Sequence, residues 1–167
     1  MTTKRRILIS GVAALALAAP VAATAAGSAQ TIDLYAVKVS QVLQNAHGKT
    51  LPHGTNLAVG EVVVGTKKVY EGTQAHHSTA TDGTITTRCR LTKVVSQDNA
   101  TASCTGTWSV HGSTLTAGPI TASVQGPPKH FTIKIIRATG SFAGDHGTWT
   151  NTRLANKDNE IVLRLSA

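Results

Sequence analysis

The sequence predicts an all-β fold, an eight-stranded antiparallel β-barrel that follows an N-terminal signal peptide. Three observations predict it. Past residue 25 no stretch sustains a helical period, while Val, Ile and Thr are abundant. Gly, Pro, Asn or Asp interrupts the apolar runs at intervals of about 8 to 12 residues, the spacing of a sandwich or barrel. The clearest stretch, Phe131 to Asn151, alternates Phe131, Ile133 and Ile135, turns through Gly140, Gly144 and Gly147, and returns with Trp149. Closing such strands into a ring removes the exposed edges that invite aggregation.

The first residues belong to an address. Lys4, Arg5 and Arg6 precede an apolar stretch from Ile7 to Ala19, and Ala23-Thr24-Ala25 supplies a small-residue cleavage signal. The stretch is too short for the roughly 20 residues a membrane span needs. Export with cleavage after Ala25 is therefore expected, leaving residues 26–167 as one secreted domain without stable membrane insertion. Arg5-Arg6 leaves open whether the route is general or twin-arginine. Cleavage removes three of the 16 basic residues, leaving 13 against 8 acidic, a net of +5. That charge keeps a small domain soluble. The basic residues are scattered, only Lys67-Lys68 being adjacent, and aromatics are few, so nucleic-acid binding is not expected.

In order, Leu34 to Leu43 reads as the first strand, His47 to Asn56 as a long loop, and Leu57 to Tyr70 as the second strand, with bends at Gly60 and Gly65. Thr73 to Thr81 reads as a third strand and Asp82-Gly83 as a turn. Thr84 to Val95 and Asn99 to Val110 form a hairpin. A two-residue turn at Ser96-Gln97 sets Cys89 opposite Cys104, and export makes a disulfide the expected state. A turn centred on Asp98-Asn99 changes the register yet keeps both cysteines on one face. Thr114 to Ser123 follows, where Pro119 implies an edge, a bulge or a strand end. Gly126-Pro127-Pro128 leads into the Phe131 hairpin, Asn156 to Asn159 turns, and Ile161 to Leu165 closes the chain. The count is eight strands, or nine if the third is broken.

Chemistry-bearing motifs are sparse. Asp145-His146 sets a carboxylate beside an imidazole, a pair that can orient a general base. Neighbours on a strand point to opposite faces, however, so a solvated turn is the simpler reading. His76-His77 lacks a third ligand at suitable spacing, so no metal is expected. No nucleophile elbow or phosphate loop is present.

The run Cys104-x-Gly106-Thr107-Trp108, then Leu115 to Thr121, Phe131-Thr132-Ile133 and the segment ATGSFAGDHGTW from Ala138 resembles the dirigent and allene oxide cyclase barrels. Val59-Gly60-Glu61 and Val69-Tyr70-Glu71-Gly72 are similar to an earlier strand of that superfamily. The resemblance covers about Leu57 to Leu154. It implies a barrel with an apolar cavity, homo-oligomers (trimer or dimer), and cofactor-free steering of ring closure or radical coupling. The chain departs from the pattern at Ala138-Thr139 and at Asp145-His146-Gly147, where the family arginine is absent, and Asp33 is the nearest match to a first-strand acid.

For a cavity role Tyr35, Glu61 and Trp108 are the candidate ligand-binding residues, being polar-tipped or acidic groups on walls of the barrel. Glu61, if buried between Val59 and Val63, is the candidate catalytic acid–base group, since burial raises a carboxyl's pKa. The simpler reading puts Glu61 in solvent and Trp108 in the core. Two functions follow: a secreted barrel binding a small apolar molecule, acting as a cyclase, isomerase or stereo-directing protein, or a non-catalytic exported carrier or envelope module with a filled barrel.

Overall fold

Eight runs of alternating Val, Ile, Leu and Thr pair in sequence order and close on themselves. The computed structural model of the protein describes residues 29–123 and 127–167. The expected signal segment and the cleavage point after Ala25 lie outside the described residues. The strands are β1 (Gln30–Gln44), β2 (Val62–Glu71), β3 (Thr84–Ser96), β4 (Asn99–Val110), β5 (Ser113–Ser123), β6 (His130–Thr139), β7 (His146–Arg153) and β8 (Asn159–Ser166). Each pairs antiparallel with its neighbours, and β1 closes the barrel against β8 from Gln30↔Leu165 to Ala36↔Asn159.

Two of the expected elements change. Thr73 to Thr81 is a loop, held by a reverse turn between Thr73 and His76 and a lone bridge from Gly72 to His77. Its polar residues gain no ladder partner, and eight strands form without it. The second strand begins at Val62 rather than Leu57. Gly60 adopts φ 91°, in the left-handed region suited to glycine, and the chain turns there. The loop before it lies against β3, where Gly60 N donates to Leu91 O and Leu91 N donates to Glu61 O.

The cysteine hairpin has the expected pairing by a different route. The turn sits at Gln97–Asp98, with Ser96 opposite Asn99. Register shifts at Leu91/Lys93 and Val94/Ser96 then bring Cys89 opposite Cys104. The disulfide is formed, with the two Cα atoms 3.9 Å apart. Pro119 sits at a bulge, as its missing N–H requires: the β4–β5 register shifts between Cys104 and Gly106, opposite Ile120 and Ala117. The β5–β6 ladder runs only from Thr114↔Thr139 to Ala117↔Ile135.

Alternation assigns the faces. Leu34, Val69, Ile85, Trp108, Leu115, Trp149, Ile161 and Leu163 point inward and form the main core, all of them buried. They occupy the lower half, the end at which β1 begins. There a 3-10 turn at Gly140–Phe142 folds across the rim and sets Phe142 on Trp108, ring centroids 5.5 Å apart. A smaller cluster of Leu91, Ala100, Ala102, Cys104 and Ala122 lies inside the curl of β3–β5, covered by Leu57.

Candidate functional site

In the upper half of the barrel, where β1 ends and β2 begins, the interior is less completely filled than at the other end. Its inward positions are mixed: Gly65 and Gly106 carry no side chain, Gln41, Leu43 and Thr87 share their face, and Ala102 and Ala122 pack with Leu91 in the smaller cluster. Trp149 reaches across to Gly106, its ring carbons 3.7 and 3.8 Å from where a Cβ would stand, and forms a floor. Above it Gly65 faces space: a Cβ there would meet nothing nearer than Ser40 O at 4.0 Å. Val63, Cys89, Ile120, Phe131 and Ile133, also inward, are only partly covered. The result is a cup whose walls are mostly apolar, including the inner face of the disulfide, with Thr87 and Gln41 among them.

One polar row crosses this cup. Lys67 shares the inward face of β2 with Gly65 and Val69, and the intervening strand offers only Ala36, opposite both Val69 and Asn159. That small side chain lets the lysine reach over β1 to β8. Lys67 Nζ donates to Asn159 Oδ1, and Asn159 Nδ2 donates to Asn151 Oδ1 at 3.0 Å. Both asparagines are buried, at 6% exposure each. Burial lowers the Lys67 pKa to about 8; Asp158 pulls it back up, and Arg153 and Lys38 push it further down. Lys38 and Arg153 occupy the inward face near the rim, and Lys38 Nζ also donates to Gln41 Oε1 at 2.8 Å.

The residues singled out from sequence fall elsewhere. Tyr35 lies between inward Leu34 and Ala36, so it faces the outside of the wall. Its ring stacks on His77 at 4.9 Å, and its hydroxyl donates to Asp158 Oδ2 at 2.6 Å. That hydrogen bond, with burial second, raises the phenol pKa. Glu61 precedes β2 and caps its own loop, Oε2 accepting from Ala58 N at 2.9 Å. The apolar surroundings expected for it are missing, since Val59 is 65% exposed. Trp108 is core, 2% exposed, with Nε1 donating to Asp82 O at 3.3 Å. It also borders a recess of about 440 Å³ at the lower rim, with Ile32, Glu71, Asp82 and Phe142. That recess does not touch Lys67, Asn151 or Asn159. The structure therefore does not bring Tyr35, Glu61 and Trp108 together.

Of the other motifs, His146 is exposed with Nε2 3.1 Å from Ser166 Oγ, and Asp145 lies in the turn before it. Among the described residues no group of three His, Cys, Asp or Glu side chains could hold a metal ion. The row Lys67–Asn159–Asn151 was available to sequence reasoning through parity alone: Lys67 is in step with Val69, and Asn151 with Trp149.

Comparison with protein-family models finds no match, and neither does comparison with curated proteins. Solved structures do match. A pyocyanin demethylase aligns over 82% of this chain and 100% of its own, at 20% identity and a TM-score of 0.55. A pterocarpan synthase dirigent protein aligns over 83% of this chain and 92% of its own, at 14% identity and 0.51. The Diels–Alderase AbmU from Streptomyces koyangensis aligns over 86% of this chain and 71% of its own, at 12% identity and 0.50. The protein thus has the dirigent/allene oxide cyclase-like barrel fold, the architecture that the sequence motifs resembled. At these identities the likeness fixes the fold alone.

Proposed function

We propose that the barrel binds a small, largely apolar molecule in its upper cup and directs that molecule's cyclisation or coupling without a cofactor. The carrying observation is the partly filled interior, with a floor at Trp149, mostly apolar walls broken by Thr87 and Gln41, and a buried polar row at Lys67, Asn159 and Asn151. A ring closure of the cycloaddition kind needs no proton transfer. What it needs is one folded conformer of the reactant and a donor on any oxygen that gains charge. Rigid walls supply the first and the Lys67 ammonium the second. That structural neighbours include a Diels–Alderase and a dirigent protein is consistent with this reading.

A carrier without turnover is the second reading, and one observation favours it: Glu61, the expected acid–base group, is engaged with Ala58 N outside the cup. Export and self-association belong to the same proposal. The disulfide supports an oxidising compartment. Native mass spectrometry of the purified protein tests binding and subunit count together. A co-purifying small molecule that leaves on Gly65→Leu substitution is the expected result. Protein that carries no molecule, and takes up none from an apolar library, overturns the proposal. Turnover of a bound molecule to an isomer of equal mass separates catalyst from carrier.

A further inference from the structure

Resting on the cup as the binding site, we infer that the molecule it takes is an anion: an apolar body bearing a carboxylate, phenolate or enolate oxygen that lodges against Lys67. The charge pattern of the inner wall carries this. In the upper half the inward strand positions hold Lys38 on β1, Lys67 on β2 and Arg153 on β7. Among the described residues none of those positions holds a carboxylate. Glu71, the inward acid on β2, lies at the opposite rim, where β2 ends. Asp158, the acid nearest the row, points outward to the Tyr35 hydroxyl. Lys38 and Arg153 are exposed at the rim and repel Lys67, which is partly buried and which Asp158 offsets only from outside the wall. A bound anion relieves that repulsion.

The hydrogen-bond row reinforces the sign. Lys67 offers only donors, so Asn159 must turn its oxygen to the ammonium and its NH2 to Asn151, whose oxygen accepts. With both amide oxygens engaged, the row has mainly N–H left to offer: the remaining ammonium hydrogens and the Asn151 amide. Such a lining suits an oxyanion and disfavours a cation or a hydrogen-bond donor. Nearby apolar walls weaken the competition from water, so one charge-assisted contact there discriminates strongly.

Two dyes of similar aromatic body separate the inference from the reading beneath it: anilinonaphthalene sulfonate, an anion at all working pH, and N-phenylnaphthylamine, which is neutral. The anion is expected to bind about tenfold tighter than the neutral dye to the wild type at pH 7. Lys67→Met removes most of that preference, read as the ratio of the two dyes' affinities for the same variant, Lys67→Arg keeps it, and Arg153→Gln reduces it by a smaller factor. Circular dichroism of each variant checks that the barrel is intact. The preference also falls between pH 7 and pH 9.5 as Lys67 loses its proton; the other charged groups about it are Lys38, Arg153 and Asp158. Equal binding of both dyes to the wild type, or a preference that survives Lys67→Met, overturns the anion assignment and leaves the cup standing. Binding of neither dye overturns the cup itself.

Discussion

The two halves of this barrel are built from the same strands by the same alternation, yet one is packed throughout and the other only in part. In the lower half the inward residues are Leu34, Ile85, Leu115, Trp108, Ile161 and Leu163, and they meet in the middle. In the upper half the same faces carry Gly65 and Gly106, and large side chains close the interior only on the β3–β5 side, around Leu91. An eight-stranded barrel is just wide enough for large side chains to fill and, with small ones, to hold one ligand. The fully packed and the partly filled interior are thus separated along the axis by side-chain volume, with Trp149 as the partition.

Removing the partition breaks the contrast most severely. Trp149→Ala should cost about 3–5 kcal/mol of unfolding free energy, read by chemical denaturation, because a buried ring 4% exposed leaves a cavity that extends the cup. Replacing Cys89 and Cys104 together by Ala should cost about 3 kcal/mol in the chain-entropy account, seen as a lower melting temperature with strand content unchanged. Tyr35→Phe, which removes the phenol donor to Asp158, should cost about 1–2 kcal/mol by the same measurement. Gly65→Leu should change stability by no more than about 0.5 kcal/mol while abolishing ligand uptake, since the added side chain enters free space. A large stability loss there would show the upper half to be packed after all.

The smallest effect sharpens the electrostatic side of the contrast. Lys67 has its folded pKa lowered to about 8 from 10.5, so between those values the unfolded chain holds more of this proton than the folded one. Its contribution to stability is therefore present above 10.5 and lost as pH falls through 8. Wild-type stability should rise from pH 8 to pH 9.5 relative to Lys67→Met, compared by denaturation at each pH. Tyr35, shifted upward, acts in the opposite sense only as pH climbs past 10.

The strands and their order were legible in the sequence, and how far each inward position fills the interior largely was not. Period-two alternation in Phe131–Ile135 and Ile161–Leu165, with turn residues between runs, specified strands and order. The cysteine pairing was also within reach, although the turn lies one residue further on and two bulges make up the difference. Bulges are invisible to pattern reading because they cost no hydrophobic residue. The Lys67–Asn159–Asn151 row escaped for a related reason. Polar-tipped residues on strands were expected to face the cavity, but Tyr35 lies out of step with Leu34 and Ala36. Which face an isolated Lys or Asn shares depends on parity with its neighbours, and Lys67 next to Lys68 reads first as surface charge. Thr73–Thr81 shows the converse error: threonine-rich composition suggests a strand, and without a free ladder neighbour none forms.

The short ladder between β5 and β6 has a mechanical consequence. Among the described residues no rung spans these two strands past Ala117 and Ile135, while β6 and β7 remain bonded from His130↔Thr152 onward. The cylinder is laced for part of its length and unlaced for the rest, like a cuff with its last buttons undone. Spreading that margin breaks no rung between the described residues of β5 and β6, so the wall can yield there before it yields anywhere else along those two strands.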